Sequence, residues 1–154
     1  MAKDPADIRG WQRLSGDVTT SGRIEEGDVA RLAALGVKQV VNLALDSHPE
    51  ALADEASKFA AEGIAYTHIP VPFDAPDEGH YAAFRAALEA GPKPVHVHCI
   101  MNWRVSAFFY RLHRDALGMA EPQARALMVQ QWEPDAADKP DWRVWADFIA
   151  PKAP

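Results

Sequence analysis

The chain has 154 residues, of which 48% are hydrophobic and 25% are charged, a composition typical of a soluble globular protein. Its formal net charge is −6 and it contains no basic stretch, so the sequence argues against nucleic-acid binding. The single cysteine excludes an internal disulfide, and the lack of a signal segment or long apolar run predicts a cytoplasmic protein without a membrane partner.

Strands and helices alternate along the first two thirds of the chain. Each predicted helix there ends at a glycine, and segment 37–45 has the nearly continuous apolar run of a buried parallel strand. The sequence Ser47-His48-Pro49-Glu50 predicts a capping box at the start of the second helix. The predicted order is an N-terminal arm or first short element (1–13), a strand (14–21), a helix (25–35), a strand (37–45), a helix (47–62), a strand (64–71), a helix around residues 81–88 and a strand (95–98).

The rest of the chain predicts helices only. Apolar residues at helical spacing follow the last strand directly and recur in segments 121–132 and 141–149. Strands that alternate with helices through short turns favour a parallel sheet with helices on both faces. We therefore expect an α/β fold with a mainly parallel sheet of about four to five strands. The expectation is one domain, residues 1–154, whose last helices (121–150) cover the core.

The only cysteine, Cys99, lies between the predicted strand 95–98 and the helix that follows, and Arg104 comes shortly after it. The first N–H groups of a helix have no internal partners and carry partial positive charge, so this position binds anions and favours a thiolate. A guanidinium can bind two phosphate oxygens at once, which a lysine cannot. This stretch therefore predicts a site that holds a phosphate beside a reactive thiol.

The pattern His98-Cys99-x4-Arg104-x-Ser106 resembles the signature of the cysteine-dependent protein tyrosine and dual-specificity phosphatases, whose usual form is His-Cys, five residues, Arg, then Ser or Thr. The run from residue 21 through 37–43 to 64–71 looks like an atypical bacterial branch of the dual-specificity-like phosphatases, and this resemblance covers residues 12–117. The resemblance implies that Cys99 is the thiolate nucleophile and that Arg104 binds the phosphoryl oxygens. It also implies a phosphate-binding loop whose backbone N–H groups surround the anion, formed by Ile100, Met101, Asn102, Trp103 and Arg104.

The loop departs from the family pattern because only four residues separate Cys99 from Arg104 and none of them is glycine. Either the loop is one residue shorter, or it keeps its length and the arginine is displaced by one position. A one-residue shift at a helix start turns a side chain by roughly 100°. If one loop residue adopts a positive φ, Asn102 tolerates it best.

Two further residues have supporting roles by this resemblance. His98 is expected to stabilise the thiolate indirectly through hydrogen bonds of the loop, and Ser106 to donate to the sulfur or help it leave when the phosphocysteine is hydrolysed. His96 lies on the same strand face as His98, and such a pair can bind a metal. No third ligand is positioned beside it, so we expect neither a metal nor another cofactor.

Hydrolysis of a phosphate ester also needs a general acid that protonates the leaving oxygen. In the family this is an aspartate on the loop before the helix that precedes the cysteine strand, and Asp74, directly after Phe73, matches it best. Asp77 and Glu78 are alternative acids, and Asp74 could instead cap the following helix. Phe73 and Trp103 could line a pocket for an aryl phosphate or belong to the core.

The sequence therefore predicts a phosphatase that hydrolyses phosphate monoesters through a phosphocysteine intermediate without a metal. Two alternatives are a pseudophosphatase that binds phosphate or a phosphoprotein, and a rhodanese-type sulfurtransferase. The expected partners are a phosphorylated protein or small phosphate ester and the phosphate ion. Phosphotyrosine, phosphoserine, phosphothreonine, a lipid and a metabolite all stay open as substrates.

Overall fold

A computed structural model describes residues 3–151 of the chain, and it confirms the predicted α/β architecture. The ends of the predicted domain, residues 1–2 and 152–154, lie outside this range. One sheet has the strand order β1-β2-β5-β3-β4, with β1 antiparallel to β2 and the other neighbours parallel. Its strands are β1 Gln12–Arg13, β2 Val18–Ser21, β3 Gln39–Asn42, β4 Ala65–His68 and β5 Val95–His98.

Six α-helices surround this sheet, and the predicted helical C-terminal part is confirmed. The helices are α1 Glu26–Ala34, α2 Glu55–Ala61, α3 Glu78–Ala90, α4 Trp103–Arg111, α5 Glu121–Met128 and α6 Arg143–Ile149. A π-helical turn, Leu112–Ala116, extends α4, and a short 3-10 turn, Pro140–Trp142, precedes α6. Within residues 3–151, no helix is long and apolar enough to cross a membrane.

Both faces of the central strands are buried, as the continuous apolar run of the predicted strand 37–45 indicated. Val40 packs with Leu32 of α1 and Phe59 of α2 on one face. Val41 and Val97 belong to the larger core on the other face. This larger core also contains buried aromatic residues, of which all but Trp132 lie on helices: Tyr81, Phe84, Phe108, Phe109, Trp132, Trp145 and Phe148. Because side chains alternate along a strand, His96 and His98 of β5 lie on the α1 and α2 side.

One local prediction is wrong. The predicted capping box at residues 47–50 does not form, and α2 begins only at Glu55. The Glu50 carboxylate binds Arg9 and Arg23 instead, so it is not available to close a helix turn. For residues 1–13 the prediction left open an arm or a first short element; in the described part, Ile8 is buried and the segment ends in the short strand β1.

Candidate active site

The predicted nucleophile, Cys99, follows β5 directly at the carboxyl edge of the parallel strands. The connections after β2, β3 and β4 begin at the same edge, which is where ligand sites occur in open α/β sheets. Cys99 is only 1% exposed, but it lines a cavity of about 350 Å³. The other residues that line this cavity are Leu45, Ser47, His48, Phe73, Ile100, Met101, Trp103 and Arg104.

The loop from Cys99 to α4 turns through Asn102, which has the positive φ expected for it, 71°. The Asn102 side chain donates to the Gly10 carbonyl at 2.7 Å and to the Thr20 hydroxyl at 3.0 Å, which fixes this turn without a glycine. Within residues 3–151, the backbone N–H groups of Ile100 and Met101 donate to no protein acceptor. Together with the first N–H groups of α4, they form a cluster of backbone hydrogen-bond donors at the start of a helix, without protein acceptors in the described part of the chain.

Gly22 supports the loop from the β2 side, a role that the sequence alone did not reveal. A Cβ atom on Gly22 would lie 2.5 Å from the Ile100 carbonyl oxygen. The same oxygen accepts a hydrogen bond from the Arg23 backbone N–H at 2.9 Å. The close approach of the two backbones therefore requires glycine at this position.

An ion-pair network lies at the rim of the cavity. Arg9 and Arg23 both bind Glu50, at 2.9 and 3.0 Å, and Arg9 also lies 3.4 Å from the Ile100 carbonyl oxygen. The hydrogen bond from Arg9 lowers the pKa of the Glu50 carboxyl, so Glu50 stays ionised and holds both guanidinium groups. Arg23 also binds Glu25 at 3.1 Å, so two guanidinium groups and two carboxylates form a charge-balanced network beside the loop.

Arg104 is buried, with 7% exposure, and lines the same cavity as Cys99. Its Nη1 donates to the Val71 carbonyl oxygen at 2.8 Å. Among the described residues, no carboxylate forms an ion pair with this guanidinium. A buried charge without a counter-ion is costly, so this position favours an anionic ligand.

Asp74 lies beside the cysteine cavity rather than in its wall. It is exposed and lines a second cavity of about 560 Å³, which shares Leu45, Phe73 and Trp103 with the first. Within residues 3–151, its carboxylate forms no hydrogen bond or ion pair. The N-cap of the following helix is Asp77, so Asp74 does not have the alternative role of a cap.

The two alternative acids already have structural partners. Asp77 caps α3 and accepts a hydrogen bond from the His80 backbone N–H at 2.8 Å. Glu78 binds the buried Arg111 guanidinium through two bonds, at 2.7 and 2.8 Å. Of the three candidate acids, Asp74 is therefore the one whose carboxylate is not engaged within the described part of the chain.

The acid loop is held by the C-terminal helices, which sequence reasoning did not anticipate. The Trp145 indole N–H donates to the Phe73 carbonyl oxygen at 2.6 Å. The Phe73 ring also lies 5.8 Å from the Trp132 ring and 6.2 Å from the Trp103 ring, measured between centroids. Phe73 and Trp103 are thus both cavity wall and part of the aromatic core.

The two histidines of β5 are fully engaged in hydrogen bonds. His96 binds Thr19 and Ser21 through its two ring nitrogens, each at 2.8 Å, and complete burial holds the pKa of His96 well below its ordinary value. His98 binds the Glu55 carboxylate at 2.6 Å and the Cys99 carbonyl at 3.2 Å. Among the described residues, no three His, Cys, Asp or Glu side chains cluster as a metal site.

Ser106 is turned away from the cysteine cavity. Its hydroxyl donates to the Trp103 carbonyl at 3.1 Å, one helical turn earlier, and the residue lines a different, smaller cavity. The structure therefore brings Cys99, Arg104 and the loop backbone together, with Asp74 nearby and His98 behind the loop.

Comparison with known proteins gives one family match. The model of the phosphatase-like domain of beta-lactamase hydrolase-like proteins matches residues 10–114, more than half of the chain. None of the curated proteins resembles the chain closely enough to count as a match.

Several solved structures resemble the chain. A DUF442 protein from Shewanella putrefaciens CN-32, described as a candidate phosphatase, is 28% identical over 93% of this chain and 90% of its own, with a TM-score of 0.75. P. aeruginosa TpbA, solved in complex with pTyr, is 21% identical over 97% and 86% of the two chains, with a TM-score of 0.67. The core catalytic domain of the S. cerevisiae PP-IP phosphatase SIW14, in complex with citrate, is 14% identical over 90% and 86%, with a TM-score of 0.70. At these identities, the last two show that the fold is shared.

Proposed function

Because the chain belongs to the family of phosphatase-like domains of beta-lactamase hydrolase-like proteins, and is thereby a cysteine-dependent phosphatase-like hydrolase, we propose that it hydrolyses phosphate monoesters with Cys99 as its nucleophile. The observation that carries this proposal is that Cys99 and a buried Arg104 without a carboxylate partner line one cavity. The free N–H groups of the loop supply further donors for the three oxygens of a phosphoryl group.

The proposed reaction has two steps. The Cys99 thiolate attacks phosphorus, an S–P bond forms as the ester O–P bond breaks, and Asp74 gives its proton to the leaving oxygen. Water then attacks the phosphocysteine, Asp74 takes a proton from it, and the S–P bond breaks to release inorganic phosphate and the thiolate. Arg104 and the loop N–H groups bind the phosphoryl oxygens through both steps, and no metal takes part.

The cavity walls favour an aryl phosphate as the substrate. Phe73, Trp103 and Leu45 present apolar surface beside the thiol, on which an aromatic ring can pack. We propose phosphotyrosine or another aryl phosphate before phosphoserine, phosphothreonine, lipid or metabolite esters. Two further expectations stay predictions: a cytoplasmic location, and a single domain over residues 1–154.

The test is steady-state hydrolysis of para-nitrophenyl phosphate by the wild-type chain and by Cys99→Ser. We expect turnover that the substitution reduces to background, while phosphate or vanadate still raises the melting temperature of the variant. Phosphate binding without turnover in the wild type would favour the pseudophosphatase alternative. Turnover that survives Cys99→Ser would refute the proposed nucleophile, and sulfur transfer from thiosulfate would favour the rhodanese-type alternative.

A further inference from the structure

The strongest polar contact behind the cysteine loop joins α2 to β5. Glu55, the first residue of α2, places its carboxylate 2.6 Å from the Nε2 atom of His98. Both side chains are buried, with 6% and 4% of their surface exposed. The pair lies on the face of the sheet opposite the large aromatic core, directly behind the residue that carries the thiol.

The hydrogen-bond partners of His98 indicate its protonation. Nε2 faces a carboxylate oxygen, and Nδ1 faces the Cys99 carbonyl oxygen at 3.2 Å. A carbonyl oxygen only accepts hydrogen bonds, as does an ionised carboxylate, so both ring nitrogens need a proton to satisfy both partners. The ring is then a cation, one residue from the proposed nucleophile, and Glu55 is its counter-ion.

Two titratable side chains beside the Glu55–His98 pair, Tyr66 and His96, add no charge of their own. Burial raises the pKa of Tyr66, whose hydroxyl accepts from Asn42 at 3.1 Å and hydrogen-bonds the Glu55 carboxylate. The His96 ring, stacked 6.3 Å from that of His98, has its pKa held well below the ordinary value by burial. The negative charge of Asp46 also raises the pKa of Tyr66, but less than burial does. Tyr66 and His96 therefore stay neutral near pH 7.

We propose that Glu55 is a positioning residue that keeps His98 doubly protonated behind the cysteine loop, and that the resulting charge favours the Cys99 thiolate. A buried ion pair is by itself weak evidence for a stabilising role, because desolvation offsets much of the attraction between its charges. The placement of this pair against the Cys99 carbonyl instead indicates a role in the chemistry of the thiol. The inference deepens the proposed function and rests on it for its catalytic consequence.

Glu55→Gln tests the charge with little change in shape. The glutamine amide can donate to Nε2 of a neutral His98 ring, whose Nδ1–H still donates to the Cys99 carbonyl, so both hydrogen bonds survive without the cation. Glu62→Gln, at the exposed C-terminal end of the same helix, is the matched control. The first measurement is the rate at which iodoacetamide alkylates the single cysteine, which requires no turnover.

We expect alkylation at pH 7 to be about tenfold slower in Glu55→Gln, since a nearby opposite charge shifts a thiol equilibrium by at least this much. The difference should close near about pH 10, where the thiol is ionised in both proteins. The kcat/KM for an aryl phosphate should fall by a similar factor, and Glu62→Gln should match the wild type in both assays. Equal alkylation of Glu55→Gln and wild type at every pH would overturn the proposal, whether or not the protein hydrolyses phosphate esters.

A measurement on the wild-type chain covers the case in which Glu55→Gln does not fold. The ¹⁵N NMR signals of the His98 ring distinguish an imidazolium from either neutral tautomer. We expect both ring nitrogens to carry a proton at pH 7. A neutral ring at that pH would overturn the proposal without any variant.

Discussion

Arg104→Lys separates the charge of the guanidinium from its geometry. One nitrogen of Arg104 donates to the Val71 carbonyl, which leaves the other N–H groups for two phosphoryl oxygens. A lysine ammonium keeps the positive charge but lacks the two coplanar N–H donors of a guanidinium. We therefore expect the lysine variant to lose one charge-assisted hydrogen bond to the phosphoryl group. Such a bond contributes about 1.5–3 kcal/mol, which corresponds to a fall of about 10- to 150-fold in kcat/KM.

Arg104→Met extends the series because it removes the charge as well. Two lost bonds correspond to about 3–6 kcal/mol, so kcat/KM should fall at least tenfold further than in the lysine variant. The assay is steady-state hydrolysis of para-nitrophenyl phosphate, with circular dichroism to verify the fold of each variant. Arg111→Lys is the matched control, because Arg111 is an equally buried guanidinium on α4 that is already bound to Glu78. Lysine and methionine variants of Arg104 that retain wild-type kcat/KM, or that lose no more than Arg111→Lys, would refute the reasoning.

Three further predictions concern the acid, the acid loop and the stability of the fold. Asp74→Asn should lower kcat/KM, which reports the step in which the leaving group departs, by about 10²- to 10⁴-fold for an alkyl phosphate and much less for para-nitrophenyl phosphate, because only the poor leaving group needs a proton in that step; equal falls in kcat/KM would exclude Asp74 as the acid. Trp145→Phe removes the hydrogen bond to Phe73 and should lower both the free energy of unfolding in urea, by about 1–3 kcal/mol, and turnover. Trp132→Phe is its control, since the Trp132 N–H has no acceptor among the described residues, and an equal loss of turnover there would argue against the bond. Burial lowers the pKa of His96, so below about pH 6.5 the unfolded chain binds a proton that the folded chain does not, and stability is lost as the pH falls. Between about pH 7.5 and 5.5 the His96 share of this loss should reach about 1.4 kcal/mol in urea titrations and be absent in His96→Gln, while the share of His113, whose pKa burial also lowers, remains; an unchanged pH dependence in that variant would contradict it.

The secondary-structure pattern was largely readable because it depends on neighbours in the chain. Helix α3 shows Tyr81, Phe84 and Leu88 at helical spacing, and these residues are buried as the spacing predicts. The start of α2 differs from the prediction because it depends on contacts with distant segments rather than on neighbours in the chain. Glu50 has a good local partner for a capping box, but two arginines from other segments bind it more favourably. Local preference is a weak guide wherever a distant charge competes for the same side chain.

In the candidate site, too, some features follow from local sequence and others depend on tertiary packing. Cys99 and Arg104 lie close in sequence around one helix start, so their convergence on a shared cavity followed from the pattern of the chain. The positive φ of Asn102 could also be expected, since the loop contains no glycine. The sequence did not indicate that Arg104 would have no carboxylate partner, because that depends on every segment packed around it.

What the sequence by itself determined was the order of strands and helices, the chemistry of the cysteine loop and the acid candidates, because these rest on short-range periodicity and on residue type. Only the tertiary structure decided which distant groups support that chemistry. Glu55 meets His98 across 43 residues, and Trp145 meets Phe73 across 72. Such contacts form only when the sheet brings the carboxyl ends of its parallel strands to one edge, and no local pattern encodes which side chains then meet.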